Sequence, residues 1–239
     1  MPIIIPRDLP AFDSLKSEKI FVMDGTRAVS QDIRPIEIAI LNLMPTKEVT
    51  ETQLLRLLGN TPLQVNVTFI RTTTYKGKHI SERYLDKFYK SLQEVKRMKF
   101  DGMIITGAPV ETLPFDEVKY WKELQEIFDF LDENVTSTIF ICWGAQAALY
   151  YYYGIDKHIL DKKLFGVYNN KKEISHEPLL KGMDDVIKIP HSRHTAVDET
   201  KLRACPDLQV LVSGEKCGPS IIKSKDDRRI FLTGHSEYD

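Results

Sequence analysis

Thr138-Ile139-Phe140-Ile141-Cys142-Trp143-Gly144-Ala145-Gln146-Ala147-Ala148-Leu149 is the stretch whose reading decides the fold. A β-branched and aromatic run ends in a cysteine and passes at once into an alanine-rich helical pattern. Strand, sharp turn and helix in that order form a nucleophile elbow, which lifts the apex side chain out of a sheet towards a cleft. The amides opening such a helix surround the apex with positive partial charge, which favours thiolate over thiol. Gly144 and Ala145 suit the turn, because a large residue there would crowd it. The plain alternative is a structural cysteine on a core strand, since free cysteines are among the most buried residue types.

The chain on either side supports a sheet. Ile36 to Leu43 is an almost continuous apolar run, as suits a parallel strand covered on both faces. Lys47 to Leu58 reads as a helix stopped by Gly59, and Leu63 to Ile70 as a second strand. A polar loop follows around Tyr75 to Lys78, and Ser81 opens a helical stretch reaching about Met98. Gly102 to Thr106 is a third strand. Glu117 to Leu131 has helical periodicity, with Val118, Trp121, Leu124, Ile127, Phe128 and Leu131 on one side. The helix after Cys142 runs through Tyr150 to Tyr153, an aromatic face suited to packing on its neighbours, and stops at Gly154.

Strand and helix thus alternate four times with short connections, which predicts right-handed βαβ units, an α/β fold with a mostly parallel sheet and helices on both faces. Residues 1–35 read as an irregular, proline-punctuated arm packed on a single domain spanning 36–239. Beyond Gly154, short strands are expected at Lys163 to Tyr168, Val186 to Ile189, Gln209 to Ser213, Ser220 to Lys223 and Arg229 to Thr233, forming an antiparallel edge of that domain.

The totals narrow the function. A hydrophobic content of 42% over 239 residues is ordinary for a packed domain, and a net charge of -1 makes no case for nucleic acid or an anionic membrane as partner. The opening Met1-Pro2-Ile3-Ile4-Ile5-Pro6 is too short and proline-rich for a signal peptide or a span. Three cysteines, Cys142, Cys205 and Cys217, form no disulfide framework, which points to a reducing cytoplasm. No Cys/His group has zinc spacing, and His191 with His194 lacks further ligands nearby, so no metal is expected.

The last candidate strand, Arg229 to Thr233, runs into Gly234-His235-Ser236-Glu237-Tyr238-Asp239. A histidine just past a strand end, with a carboxylate two residues on, is what a cysteine nucleophile requires. The imidazole takes and returns the thiol proton, and the carboxylate on its other nitrogen sets the tautomer. Parallel strands end along one edge, so Cys142 and His235 can meet across some ninety residues of chain. Gly107-Ala108-Pro109, at the end of the third strand, can supply amides to an oxyanion, or can be a plain βα turn.

Three groups of residues together resemble a known family: Gly107-Ala108-Pro109-Val110-Glu111, Phe140-Ile141-Cys142-Trp143-Gly144-Ala145-Gln146 and Gly234-His235-Ser236-Glu237-Tyr238. They are similar to the class I glutamine amidotransferase-like superfamily, and more closely to the homoserine O-acyltransferases of methionine biosynthesis. Met1 to Pro6, Leu41-Asn42-Leu43-Met44-Pro45-Thr46-Lys47 and Pro190-His191-Ser192-Arg193-His194-Thr195 carry the same likeness, which spans essentially the whole chain.

The resemblance implies that Cys142 carries the acyl group as a thioester, with His235 as general base and Glu237 orienting it. It implies an oxyanion region at Gly107, Ala108, Pro109, Val110 and Trp143, and substrate contacts at Lys163 and Ser192. The plain readings of the last two are a solvated lysine and a loop serine. Glu111 matches the position that goes with acyl-donor choice, where glycine accompanies succinyl and glutamate acetyl. A carboxylate there repels the free carboxylate of succinyl-CoA, so acetyl-CoA is the expected cosubstrate, with no bound cofactor; otherwise Glu111 is a carboxylate on the approach to a helix.

Expected partners are L-homoserine and acyl-CoA, and the expected assembly is a homodimer. Members of the family continue for several tens of residues past the position of Asp239, and the resemblance places a further substrate-contacting arginine and closing secondary structure there. Two other readings stand beside this one. The first is a glutamine amidotransferase or cysteine hydrolase of the same fold, although nothing here resembles the synthetase such enzymes serve. The second is a binding protein with a disused triad.

Overall fold

Apolar runs that alternate with amphipathic stretches must pair as strands and be covered by helices. The computed structural model describes residues 3–29, 34–74 and 80–238, and these group into two compact units. The first comprises residues up to Ile104 with Lys122–Thr136, and the second Ile105–Trp121 with Ser137–Tyr238.

In the first unit the elements are β1 (Ile3–Ile4), α1 (Pro10–Ser17), β2 (Val22–Met23), α2 (Gly25–Val29), β3 (Ile36–Leu41) and α3 (Lys47–Leu58). They continue with β4 (Val65–Ile70), α4 (Glu82–Phe88), β5 (Tyr89–Lys90), α5 (Leu92–Val95), β6 (Phe100–Ile105) and α6 (Trp121–Asn134). β4 organises this unit. β3 pairs with it in parallel along its whole length, from Ile36↔Val65 to Leu41↔Ile70. Its other edge is shared end to end by β1 at Val65 and Asn66 and β5 at Phe69 and Ile70, both parallel. β2 extends the sheet beyond β1, also in parallel.

The second unit contains β7 (Val135–Ile141), α7 (Trp143–Tyr153), β8 (Lys157–Lys172), β9 (Val186–Val197), α8 (Glu199–Ala204), β10 (Leu208–Gly214), β11 (Gly218–Ser224) and β12 (Arg229–Leu232). Their order is β7-β12-β11-β10-β8-β9. β7 and β12 are parallel, from Arg229↔Thr138 to Leu232↔Ile141, and the remaining pairs are antiparallel. Phe140 and Phe231 stack across the parallel pair with ring centroids 5.2 Å apart. The chain is an α/β protein with a mostly parallel sheet, as expected.

Several local expectations are corrected. The described part of residues 1–35 is not irregular: Pro10 opens α1, where its missing N–H costs nothing, and Ile3 and Ile4 are buried by pairing to β4. Two-residue strands carry no periodicity that a sequence reading could detect. Met1, Pro2, Ser30–Ile33 and the polar loop at Tyr75 to Lys78 lie outside the described residues. The stretch from Ser81 to Met98 is broken at Tyr89 and Lys90, which leave the helix to pair with β4. Glu117 belongs to a 3₁₀ turn (Phe115–Glu117), and Val118 is extended, so the helix begins at Trp121.

The second unit brings further differences. β8 and β9 are far longer than expected, because Pro190 and the charged residues hide the strand pattern; Pro190 nonetheless pairs with Val167. α8, opened by the Asp198 side chain accepting the Lys201 N–H, was not anticipated. Gly154 stops α7 in the left-handed conformation, at φ 65°. The aromatic run at its end packs as expected, with Tyr150 stacked on Phe115 at 4.6 Å and Tyr153 edge-on to Phe231 at 6.1 Å.

The break at Tyr89 has a physical cause. Its hydroxyl accepts from Asn42 Nδ2 at 3.0 Å and donates to Glu51 Oε1, while Tyr84 donates to Glu51 Oε2 at 2.6 Å. Glu51 is fully buried on α3, and burial raises its carboxyl pKa. A buried polar group needs its partners. Tyr89→Phe removes one of them, so we expect it to destabilise the protein by about 1–3 kcal/mol, read as a lower urea midpoint at unchanged slope.

Candidate active site

Cys142 sits at φ 50° and ψ -112°, a strained conformation for a residue with a side chain. Backbone bonds on both sides hold it there. Its N–H donates to Leu232 O on β12 at 2.7 Å, and its C=O accepts the Gln146 N–H at 3.1 Å as the first bond of α7. Gly144 is sterically required: a Cβ there would lie 2.7 Å from Thr106 O and 3.0 Å from Ile105 O. The sheet thus presents the thiol from a backbone turn that has no slack.

His235 lies three residues beyond β12, on the edge where β7 also ends. Its N–H donates to Pro190 O at 2.8 Å. Gly234 permits that approach, since a Cβ would meet Ile189 Cγ2 at 2.5 Å and Pro190 O at 2.7 Å. His235 Nδ1 is 2.7 Å from Glu237 Oε1, with both side chains buried. That bond leaves Nε2 free of Glu237, and Cys142 stands close enough to help raise the His235 pKa. A Cβ on Gly107 would touch both Cys142 Cβ, at 3.4 Å, and His235 Cε1, at 3.6 Å, so this glycine borders the pair. Buried Ala108 and exposed Pro109 follow it, then half-buried Val110.

Burial lowers the pKa of His235, but the hydrogen bonds and charges of Cys142 and Glu237 outweigh it and push the value up to about 10. His191, on β9, goes the other way. Burial, then the positive Arg193 and His235, bring it down to about 4, so it stays neutral beside a cation. The arrangement therefore holds an imidazolium between a sulfur and a carboxylate, a pair that can both attack an electrophile and protonate a leaving group.

A polar network flanks the triad. Glu111 accepts the His194 N–H at 2.9 Å and the Thr195 hydroxyl at 3.3 Å. Thr195 also donates to Gln146 Oε1 at 2.9 Å. Arg193, 3% exposed, donates to Thr195 O and Cys217 O, each at 2.6 Å. Burial lowers its pKa, opposed chiefly by Cys142, Cys217 and Glu111. Gln146 and Arg193 stand in quoted motifs but were assigned nothing. The signal for Arg193 was its phase on β9, shared with buried His191 and Thr195.

The other expected site residues are placed less closely. Trp143 is fully buried, its ring 6.2 Å from Phe115 and 6.1 Å from Tyr120, so only its amide can face the cleft. Ser192 pairs with Phe165 across β8 and β9. Lys163 is exposed where that pairing lapses between Ile159 and Leu164, with its ammonium 5.2 Å above the Phe165 ring. Among the described residues, no hydrogen bond or ion pair joins Lys163 or Ser192 to the triad. A cavity of about 870 Å³ is bordered by Gln146, Arg193 and Thr233, but Cys142 and His235 do not line it.

Because the folded value of His235 is above the ordinary imidazole value of 6.5, its charged form stabilises the fold fully below pH 6.5. That contribution is lost as pH rises through about 10. We expect the His235 ring to remain protonated at pH 8 by NMR of its Cε1–H, and to titrate lower in Cys142→Ala, where the sulfur partner is gone. An unchanged midpoint in that variant would show that Cys142 does not hold the charge.

Comparison with known proteins shows the family and the fold. The family model described as Homoserine O-succinyltransferase matches residues 2–239. A homoserine O-acetyltransferase of Geobacillus kaustophilus (strain HTA426) is 58% identical over 239 residues, covering 100% of this chain and 79% of the relative. The homoserine O-acetyltransferase of Bacillus subtilis (strain 168) is 53% identical with the same coverage. Among solved structures, a glutamine amidotransferase from Thermotoga maritima has a TM-score of 0.55 at 11% identity, covering 86% of this chain and 77% of its own. The glutaminase domain of Trypanosoma brucei CTPS has a TM-score of 0.56 at 10% identity, covering 85% and 87%. These last two establish a glutamine amidotransferase-like fold. No helix among the described residues is long and apolar enough to cross a membrane. By the full-length match and its near relatives, the chain belongs to the homoserine O-succinyltransferase family of acyltransferases.

Proposed function

We propose that this enzyme transfers an acetyl group from acetyl-CoA to the hydroxyl of L-homoserine, as a step of methionine biosynthesis, through a thioester on Cys142. The observation that carries the proposal is the buried His235 imidazole, bonded to Glu237 at 2.7 Å, with Cys142 and His235 both bordering Gly107 and Cys142 helping to raise the histidine's pKa. The acceptor and donor follow the names of relatives 52–58% identical to the chain.

The Cys142 thiolate attacks the carbonyl carbon of the donor thioester. The oxyanion is met by amides at Trp143 and around Gly107 to Val110, where the opening of a helix leaves N–H groups unpaired. The carbon–sulfur bond to CoA then breaks, and the CoA sulfur takes the Nε2 proton of His235. Acylation also removes the thiolate that held the imidazolium, so the pKa of His235 falls and the ring becomes a base. Homoserine gives its hydroxyl proton to Nε2 as its oxygen attacks the acyl carbon. The bond to Cys142 breaks, the thiolate and imidazolium reform, and O-acetyl-L-homoserine leaves.

Glu111 supports acetyl over succinyl. The Thr195 hydroxyl and the His194 amide fix its carboxylate against β9, and a second carboxylate on the donor would face it unpaired. Lys163 and Ser192 are proposed as substrate contacts on the β8–β9 pair. CoA enters as a cosubstrate, and no resident cofactor takes part in these steps. We further propose a homodimer, which exposed Phe165 and Val167 on β8 would favour, and a cytoplasmic location in keeping with three unpaired cysteines.

Intact-protein mass spectrometry after brief mixing with acetyl-CoA should show one acetyl adduct, absent in Cys142→Ala and discharged by homoserine. An enzyme that hydrolyses glutamine and never labels would instead be an amidotransferase. With Glu111→Gly, succinyl labelling should rise relative to acetyl by about tenfold or more, because like charges in apposition cost several kcal/mol. An unchanged donor ratio would remove Glu111 from donor choice.

A further inference from the structure

Tyr238 lies flat on the catalytic imidazole. Its ring centroid is 4.3 Å from that of His235, with 9° between the planes. The phenol pKa is pushed up to about 12 by burial, then by Glu237 and Cys142, so the ring lies within reach of both partners of the histidine. The Tyr238 N–H also approaches His235 O at 3.4 Å, closing the short turn that brings the ring back over the imidazole.

The rest of the site leaves this ring something to do. Glu237 holds His235 through Oε1 only, and its Oε2 is buried without a partner. A single hydrogen bond along Nδ1 sets the direction of the imidazole but not its roll about that bond. A roll would swing Nε2 away from Cys142. The side that bears Cε1 borders Gly107, which has no side chain to stop such a movement.

We propose that Tyr238 is a positioning residue for the acyl transfer: its ring supplies the planar restraint that a one-point carboxylate contact lacks, and its π face favours the charged form of His235. A cation over an aromatic face is attracted by the ring quadrupole. The groups that face His235 are Cys142 from the elbow, Glu237 and Tyr238 from its own segment, and neutral His191 from β9. Among these groups, Tyr238 is the one whose ring lies parallel to the imidazole plane. In the cycle it keeps Nε2 aimed at sulfur while the proton is held, and at the acceptor hydroxyl once the acyl group is on Cys142. This assignment deepens the acyl-transfer reading, and its test needs neither donor nor acceptor.

The experiment is the NMR titration of the His235 Cε1–H in wild type, Tyr238→Phe, Tyr238→Leu and Tyr238→Met, each checked for fold by thermal melting. Removing the ring should lower the His235 midpoint by about one pH unit in the Leu and Met variants, whereas Phe should keep it. The same two ring-less variants should alkylate Cys142 more slowly at neutral pH, since a misaimed Nε2 no longer stabilises the thiolate. Midpoints unchanged in Leu and Met would overturn the proposal. A Phe midpoint as low as theirs would overturn it equally, because the hydroxyl and not the ring would then be responsible. Either failure leaves the acyl-transfer reading to stand or fall on the labelling of Cys142.

Discussion

The parallel pairing of β7 with β12 is the constraint on which the site depends. Because the register runs from Arg229↔Thr138 to Leu232↔Ile141, both strands end on one edge, and Cys142 and His235 emerge from neighbouring strand ends. The Cys142 N–H then bonds back to Leu232 O, so the elbow is tied to the strand that delivers the histidine. An antiparallel arrangement would have put the two residues at opposite ends of the sheet. The stacked Phe140 and Phe231 below this edge, and the absence of space around Gly144 and Gly234, make the register hard to shift.

On this rigid edge the chemistry is a matter of where charge is held. The sulfur and the carboxylate keep His235 cationic against the cost of burial, and the conformations around it leave few alternatives for the proton. His191 is kept neutral by the same surroundings, so the site holds two buried histidines, one on β9 and one just beyond β12, with opposite tendencies. Arg193 adds a buried cation a short way off, its Nη groups taken up by carbonyls of β9 and of Cys217. The electrostatics of the site thus come from side chains on β9 as much as from the triad.

Much of the core was legible because its signals are local. A continuous apolar run gives β3, a Lys47 to Leu58 periodicity gives α3 to the residue, and a glycine stops α7. The elbow was legible for the same reason: a strand, a cysteine and two small residues are adjacent in sequence. What failed to show depends on remote partners. β1 and β5 are two-residue strands that exist only because β4 offers free edges, and Tyr89 leaves its helix for bonds to Asn42 and Glu51, more than thirty residues away. The full lengths of β8 and β9 were hidden by Pro190 and by lysines that point outward.

By itself the sequence determined the candidate residues Cys142, His235 and Glu237 and the strand-turn-helix that presents the first of them, because each is encoded within a few consecutive residues. Its likeness to homoserine acyltransferases was likewise carried by short motifs. Only the tertiary structure decided that Glu111 is held by His194 and Thr195, that Arg193 is buried with its guanidinium on Thr195 O and Cys217 O, and that Tyr238 stacks on the imidazole. Glu111 lies more than eighty positions from both of its partners, and the Tyr238 contact turns on ring orientation; neither long-range proximity nor side-chain geometry has a signature in local periodicity or composition.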